Sequence, residues 1–181
     1  MDRAEPSAYH GRRMTEAEFL ALPEQKPYLE YVDGVVLQKP MPDDDHGFLV
    51  AELIGRLWLY GNEHGGRTGP EIRASFPANF RLPDASYFGP GRPSANGAPP
   101  TLAVEVRSTG QTRAELRAKC RFFRTHGVDV CWLADKTTRE VEVFEGGGER
   151  TLAEGDVLTS AQLPGFELKL SDLFAVVARD N

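Results

Sequence analysis

Apolar residues recur along this chain with two periods, and the period changes from one segment to the next. A capping box that starts at Thr15 predicts a short N-terminal helix. Strand-like segments then flank Asp33-Gly34, the strongest short signal of a β-hairpin. Residues 46–63 carry apolar pairs at helical spacing, the last of them Leu57 and Trp58. We therefore expect the chain to begin with a helix, a β-hairpin and a longer helix.

Alternation with a period of two dominates the following segments. Apolar and polar residues alternate over 76–82, which predicts one half-buried strand leading into Pro83-Asp84, with Pro77 at an edge or a bulge. The next segments indicate a strand, a helix and a strand, at residues 102–107, 112–126 and 128–134. Such a crossover predicts a parallel pair of strands. The fold class expected is α/β (α+β), with a mixed central β-sheet flanked by helices.

Length and composition favour one domain. The chain has 181 residues, of which 40% are apolar, enough to bury one core. Residues 1–13 lack an apolar signal core, and we expect them to be a disordered tail that precedes a single domain, 14–181. No apolar stretch is long enough to cross a bilayer. Cys120 and Cys131 lie in apolar surroundings and are interpreted as reduced core thiols, which indicates a cytoplasmic protein without membrane partners.

The net charge of −6 argues against a nonspecific coat for nucleic acid, because phosphate affinity comes mainly from clustered Lys and Arg. It does not exclude a nuclease, since a bound cation supplies local positive charge that a formal count omits.

Two acids and a lysine carry the chemistry that the sequence predicts. Asp84 follows one strand, and Glu105 lies in the middle of an apolar strand, where a carboxylate is costly unless it is paired or binds a cation. Lys119 falls within the apolar arc of its helix, whereas four arginines fall on the opposite, solvated side, at Arg113, Arg117, Arg121 and Arg124. Two acids and an amine directed to one place favour a divalent-metal site.

Simpler interpretations stay open for each residue. Glu105 could form a salt bridge with Arg107 or Arg81, and Lys119 could extend along the edge of the core to solvent. Glu30 is either a third acid or the polar face of the hairpin. His46 follows three aspartates and is interpreted first as a helix-start residue, and only then as a ligand.

Short motifs in a fixed order resemble the large bacterial family of putative restriction endonucleases with a PD-(D/E)-X-K nuclease core. The resemblance covers almost the whole chain from Met14. The motifs that carry it are Met14-Thr15-Glu16-Ala17-Glu18-Phe19, Glu30-Tyr31-Val32-Asp33-Gly34, His46-Gly47, Pro83-Asp84, Val104-Glu105-Val106, Lys119, His126-Gly127-Val128, Cys131-Trp132-Leu133-Ala134-Asp135 and Leu163-Pro164-Gly165-Phe166.

The resemblance implies a restriction endonuclease-like core in which the lysine has moved from two residues after the glutamate to the following helix. Arg107 stands at the first position and Lys119 at the second. The family's usual Ser-Pro-Ser is here Ser108-Thr109-Gly110, and its aspartate before the lysine is here Glu115.

We therefore expect a metal-dependent nuclease that hydrolyses phosphodiester bonds, with DNA rather than RNA as its nucleic acid. Asp84 and Glu105 would hold Mg²⁺ or Mn²⁺, because these hard cations favour carboxylate oxygen. Lys119 would orient water or offset negative charge, and Arg107 would contact a phosphate or lock Glu105 in place. A homodimer would supply two sites for two strands. The alternative is a catalytically degenerate module of the same fold that binds a partner or regulates one.

Overall fold

The computed structural model describes residues 6–93 and 97–177. Its helices are α1 (Glu16–Leu20), α2 (Asp44–His64), α3 (Arg113–Thr125) and α4 (Leu170–Phe174). Its strands are β1 (Leu29–Val32), β2 (Val35–Gln38), β3 (Arg67–Pro70), β4 (Ala74–Phe76), β5 (Asn79–Arg81), β6 (Ala85–Phe88), β7 (Leu102–Val106), β8 (Val130–Asp135), β9 (Glu140–Glu145), β10 (Gly148–Ala153), β11 (Val157–Ser160) and β12 (Leu163–Lys169).

The predicted N-terminal helix and β-hairpin are confirmed. The Thr15 hydroxyl accepts a hydrogen bond from the Glu18 amide, and the Glu18 carboxylate accepts one from the Thr15 amide at 2.7 Å. Asp33 and Gly34 have φ values of 49° and 85°, the left-handed values that a tight hairpin turn requires. The hairpin is extended by two further strands, in the order β2-β1-β5-β4.

The expectation of one strand over 76–82 is wrong. The chain reverses at Pro77-Ala78, and β4 pairs antiparallel with β5, with Phe76 opposite Asn79. Ala78 has a φ of 54°, and the Asn79 side chain donates to the Pro77 carbonyl at 3.0 Å, which stabilises the reversal. Pro77 therefore lies in a turn, where a missing N–H group is tolerated.

The mixed central sheet is confirmed. Its strands lie in the order β10-β9-β8-β7-β6-β3. β7 and β8 are parallel, as the crossover through α3 predicted, and the other neighbours pair antiparallel.

Helices cover both faces of this sheet. Alternate residues of β7 belong to different cores, because successive side chains of a strand point to opposite faces. Val104 and Val106 belong to the core that includes α2 and α4, and Ala103 belongs to the core that includes α3. Glu105 shares the α3 face with Ala103. The central strand thus directs one carboxylate towards the helix that carries Lys119.

One expectation needs correction at the periphery of the fold. Residues 6–13 are not loose, because the Gly11 amide donates to the Val36 carbonyl at 2.8 Å and the Ser7 amide donates to the Gln38 side chain at 2.8 Å. Residues 1–5 of the expected tail lie outside the described residues. Trp58, next to the buried Leu57 in α2, is 57% exposed. Within the described residues, no helix is both long and apolar enough to span a membrane.

Candidate active site

The two predicted acids lie side by side on neighbouring strands. β6 and β7 pair antiparallel with Ala85 opposite Val104, so Asp84 and Glu105 occupy the next opposed positions. The Val106 amide donates a hydrogen bond to Asp84 Oδ2 at 2.7 Å, which fixes the direction of that carboxylate. Both side chains are buried. The sheet register therefore brings together two carboxyl groups that are distant in sequence.

Lys119 reaches the same place from α3. Its Nζ donates to Glu105 Oε2 at 3.1 Å and lies 2.9 Å from Oε1 without an aligned hydrogen bond to it. The same nitrogen lies 2.8 Å from Glu30 Oε1. The side chain is 11% exposed, so it does not extend to solvent. The structure brings Asp84, Glu105 and Lys119 together; their roles stay a proposal.

Glu30 belongs to this cluster and does not lie on a solvent-exposed face of the hairpin. Besides the contact with Lys119, its Oε1 accepts a hydrogen bond from the Leu82 amide at 2.7 Å. Arg81 Nη1 lies 3.8 Å from Oε2. Glu30 thereby fastens the small sheet to the segment that leads into Asp84. Of the two salt-bridge partners considered for Glu105, Arg81 instead pairs with Glu30.

Lys39, which sequence reasoning missed, is a second ammonium group of the site. Its Nζ donates to Asp84 Oδ1 at 2.7 Å and to the Leu82 carbonyl at 2.9 Å, and it lies 3.5 Å from Glu71 Oε1. The register of the hairpin could have indicated that Lys39 lies near the site. Glu30 is opposite Leu37, so alternation places Lys39 on the same face of the hairpin as Glu30.

His46 contacts the site as well as starting α2. Its backbone amide donates to the capping carboxylate of Asp43 at 2.9 Å, as a helix-start residue should. Its Nε2, however, lies 3.2 Å from Asp84 Oδ2. Among the described residues, the buried Nδ1 has no hydrogen-bond partner. The helix-start interpretation was therefore incomplete.

Of the two roles expected for Arg107, locking Glu105 in place is not what the structure has, and contact with a phosphate stays a prediction. The strand ends at Val106, and the Arg107 guanidinium turns away to donate to Asp135 at 2.9 Å and to the Gln111 carbonyl at 3.0 Å. Arg107 thus ties the loop before α3 to β8. The arginines of α3 are not simply solvated either, because Arg113 and Arg117 each donate to Glu142 at 2.6 Å.

The two acids differ in protonation although both are buried. Burial raises the pKa of Glu105 to about 7, and the attraction of Lys119 only partly opposes it. For Asp84, burial acts in the same direction, but the charge of Lys39 and the hydrogen bond to His46 outweigh it and hold the pKa well below its usual range. Asp84 is therefore ionised at neutral pH, while Glu105 exchanges a proton there.

Lys119 stays charged. Burial acts to lower its pKa, but the charges of Glu105 and Glu30 outweigh burial and raise the pKa well above the ordinary value. Burial also acts to lower the pKa of Lys39, but the charge of Asp84 helps to outweigh it, and the pKa is raised. Neither ammonium group can therefore accept a proton from water near neutral pH. Both can donate hydrogen bonds and offset negative charge.

These groups line a cavity of about 570 Å³. The charged and ionisable site residues on its wall are Glu30, Lys39, His46, Asp84, Glu105 and Lys119. Among the described residues, no group of three or more His, Cys, Asp or Glu side chains is arranged to hold a metal ion. Two carboxylates nevertheless fit Mg²⁺ or Mn²⁺, because Mg²⁺ commonly keeps several waters and takes only one or two protein carboxylates. Glu105 Oε1 lies 2.9 Å from Lys119 Nζ, but among the described residues it has no aligned hydrogen-bond donor, which leaves lone pairs for a ligand.

Known proteins share this architecture. The chain matches the family model Uma2, described as "Putative restriction endonuclease", over residues 16–171. It is similar to the crystal structure of a putative nuclease belonging to DUF820 from Anabaena variabilis ATCC 29413, with 25% identity, a TM-score of 0.82, and coverage of 91% of this chain and 99% of that chain. A weaker likeness to the DrdV-DNA complex has 16% identity, a TM-score of 0.45, and coverage of 70% and 11%, and it carries no argument. No curated protein matches the chain.

Proposed function

The chain belongs to the Uma2 family of putative restriction endonucleases, and from this premise we propose that it is a metal-dependent endonuclease that hydrolyses phosphodiester bonds in DNA. The observation that carries the proposal is the convergence of Asp84, Glu105 and Lys119 on one cavity. Likeness to a putative nuclease over nearly the whole of both chains supports it.

Asp84 and Glu105 would hold Mg²⁺ or Mn²⁺ through carboxylate oxygens. A divalent cation bound there supplies a lowered pKa for a water ligand and stabilises negative charge on the phosphoryl oxygens. The protein's own part is to hold the two carboxylates in place. Val106 and His46 contact one oxygen of Asp84, and β7 directs Glu105 into the cavity.

Lys119 would act as a hydrogen-bond donor and a fixed positive charge. Because its pKa is raised by Glu105 and Glu30 against the effect of burial, it does not serve as a base. Glu30, on β1 of the second sheet, holds the ammonium group at 2.8 Å. From that position Lys119 would orient the attacking water or offset the charge that develops on the phosphate.

DNA is proposed as the substrate rather than RNA because the family is one of restriction endonucleases. Because the net charge is −6, the positive charge for phosphate binding would come from the bound cation and the lysines of the site. Two sites in a homodimer would address both strands of a duplex.

A plasmid-nicking assay with Mg²⁺ or Mn²⁺ tests the proposal, with an RNA of the same sequence in parallel. Asp84→Asn, Glu105→Gln and Lys119→Met should each reduce cleavage by roughly 100-fold or more, as expected when a metal ligand or a charge-stabilising group is removed. Asp129→Asn is the matched control, because Asp129 pairs with Arg92 away from the cavity, and it should cleave like the wild type. Absence of cleavage with either metal, or cleavage unchanged in all three variants, would contradict the nuclease.

A second candidate is a nuclease-fold module that binds or regulates a partner. The observation that favours it is the pairing of the acids with ammonium groups, Lys39 with Asp84 and Lys119 with both glutamates. Such pairing stabilises a buried cluster without a metal. In that case the protein should show neither cleavage nor stabilisation by Mn²⁺.

A further inference from the structure

One long face of α2 is apolar and exposed. Phe48, Trp58 and Leu59 are 58%, 57% and 55% exposed. The opposite face of the helix packs on the central sheet through Leu49, Leu53 and Leu57. Such exposure of large side chains on one face is characteristic of an interaction surface rather than of ordinary solvated helix.

Gly55 lies between the large residues on the same face. A Cβ atom at Gly55 would meet nothing within 4 Å, so packing within the described fold does not explain a glycine here. Glycine inside a helix is less favourable than alanine. Gly61 on the same helix differs, because a Cβ there would lie 3.5 Å from the Gly66 carbonyl oxygen. Together with Ala51, Gly55 leaves a shallow depression into which another helix can pack closely.

We propose that this face is a self-association surface on which the α2 helices of two copies of the chain pack antiparallel. The surface consists of Phe48, Ala51, Glu52, Gly55, Arg56, Trp58 and Leu59. Its occupant is a second copy because the face is complementary to itself under a two-fold axis, the commonest symmetry of soluble oligomers.

One antiparallel alignment of the two helices gives three favourable pairings, each to within one residue. It places the large Phe48 opposite Leu59 of the second copy, and the small Ala51 opposite Gly55. It also places Glu52 opposite Arg56. Within one chain these two charges already form an ion pair of 2.8 Å along the helix, so both are directed to the same side of the face. Large residues thus meet large ones, small meet small, and acid meets base.

The three large side chains supply more than half of the area that a stable interface needs. Burying the exposed halves of the three large side chains removes about 300 Å² per copy, or about 600 Å² in a symmetric pair. A stable interface needs about 1,000 Å² in total. The helix has 21 residues and a length of about 30 Å, so its smaller residues supply the remainder. Antiparallel packing also places the two active sites at opposite ends of the helix pair, because His46 lies in the first turn of α2.

Sedimentation of the full-length chain at increasing concentration tests the surface. The wild type should dimerise, and Leu59→Glu should weaken the dimer at least about tenfold, as a charge buried in an apolar contact does. Leu20→Glu is the matched control, because Leu20 is 53% exposed on α1, and it should dimerise like the wild type. Gly55→Lys should also weaken the dimer. At concentrations at which both proteins are monomeric, it should unfold in urea no more easily than the wild type, since lysine is the better helix former. A monomeric wild type, or a dimer unaffected by both α2 substitutions, overturns the proposal.

A mixing experiment separates contacts between copies from contacts within one helix. Glu52→Arg alone and Arg56→Glu alone each place like charges opposite each other across the interface and also along the helix. Mixed in equal amounts, the two variants regain opposite charges only across the interface. The mixture should therefore dimerise at least about tenfold more tightly than either variant alone. A mixture no tighter than its components overturns the register, and neither readout depends on nuclease activity.

Discussion

Replacing Glu105 by glutamine is expected to stabilise the protein above neutral pH. The side chain is buried, and its burial raises the pKa to about 7 from an ordinary value of 4.5. The wild-type protein must therefore bury a charge at pH 8 that its surroundings compensate only in part. Glutamine has the same shape and carries no charge.

The sign and the size of this difference in the free energy of unfolding follow from the linkage between folding and proton binding. Between pH 4.5 and about 7, the folded chain holds a proton on Glu105 that the unfolded chain has lost. The stability that this group contributes is therefore fully present below pH 4.5 and is lost as the pH rises through 7. The difference between 4.5 and about 7 corresponds to about 3 kcal/mol. The advantage of Glu105→Gln should thus be small near pH 5 and approach about 3 kcal/mol near pH 8.

Urea unfolding in the presence of a chelator, followed from about pH 5 to about pH 8, measures this difference. Glu149→Gln is the control, because Glu149 pairs with Arg121 at the surface at 2.7 Å and has its pKa lowered, so its effect should not change over this range. An advantage for Glu105→Gln that is constant with pH, or that reverses sign at high pH, would refute the reasoning.

Two further substitutions probe the surroundings of the site and the fold. Lys39→Met removes the ammonium group 2.7 Å from Asp84 and should destabilise the chelated protein by about 3 kcal/mol, with a larger rise in melting temperature on adding Mn²⁺ than in the wild type. Lys169 is exposed, so Lys169→Met should change neither the stability nor the rise in melting temperature with Mn²⁺. An equal rise in the wild type and in both variants would contradict the view that the Lys39 ammonium group takes the place of a cation beside Asp84. Gly66→Ala would place a Cβ 2.5 Å from the Phe88 carbonyl oxygen at a φ of 107°, so urea unfolding should show a loss of more than about 2 kcal/mol. Gly47→Ala on α2, where a Cβ meets nothing and which lies outside the proposed self-association surface, should instead gain up to about 1 kcal/mol, and equal effects of the two would disprove the steric argument.

Periodicity predicted most of the fold because most elements have one wet and one buried side. β6 lacks that contrast, since all its residues are buried and its Ala-Ser-Tyr-Phe sequence shows no alternation. β3 escapes notice because Gly69 and Pro70 are poor strand formers. The turn between β4 and β5 was not predicted because its left-handed residue is Ala78, and residues other than glycine seldom adopt that backbone conformation.

The site was predictable where a polar residue interrupts an apolar period. Glu105 interrupts a buried strand and Lys119 interrupts an apolar helix face, so both could be predicted from the sequence. Lys39 was missed because a lysine just beyond a strand is usually solvated, and only the hairpin register places it beside Glu30. Of the two roles expected for Arg107, the contact with Glu105 is not made, because the register of β7 with β8 puts Asp135 beside Arg107. The sequence alone does not give that register.

Asp84 and Glu105 are almost equally buried, so depth does not explain why one is ionised and the other is not. The difference comes from their partners. Asp84 accepts hydrogen bonds from the Lys39 ammonium group and the Val106 amide. Glu105 shares the Lys119 ammonium group with Glu30, and within the described part of the chain its Oε1 has no aligned hydrogen-bond donor. A buried carboxylate that is only partly compensated costs stability. A carboxylate left short of positive charge, beside one that is always ionised, is where an added divalent cation gains most, and this asymmetry favours the nuclease over the degenerate module.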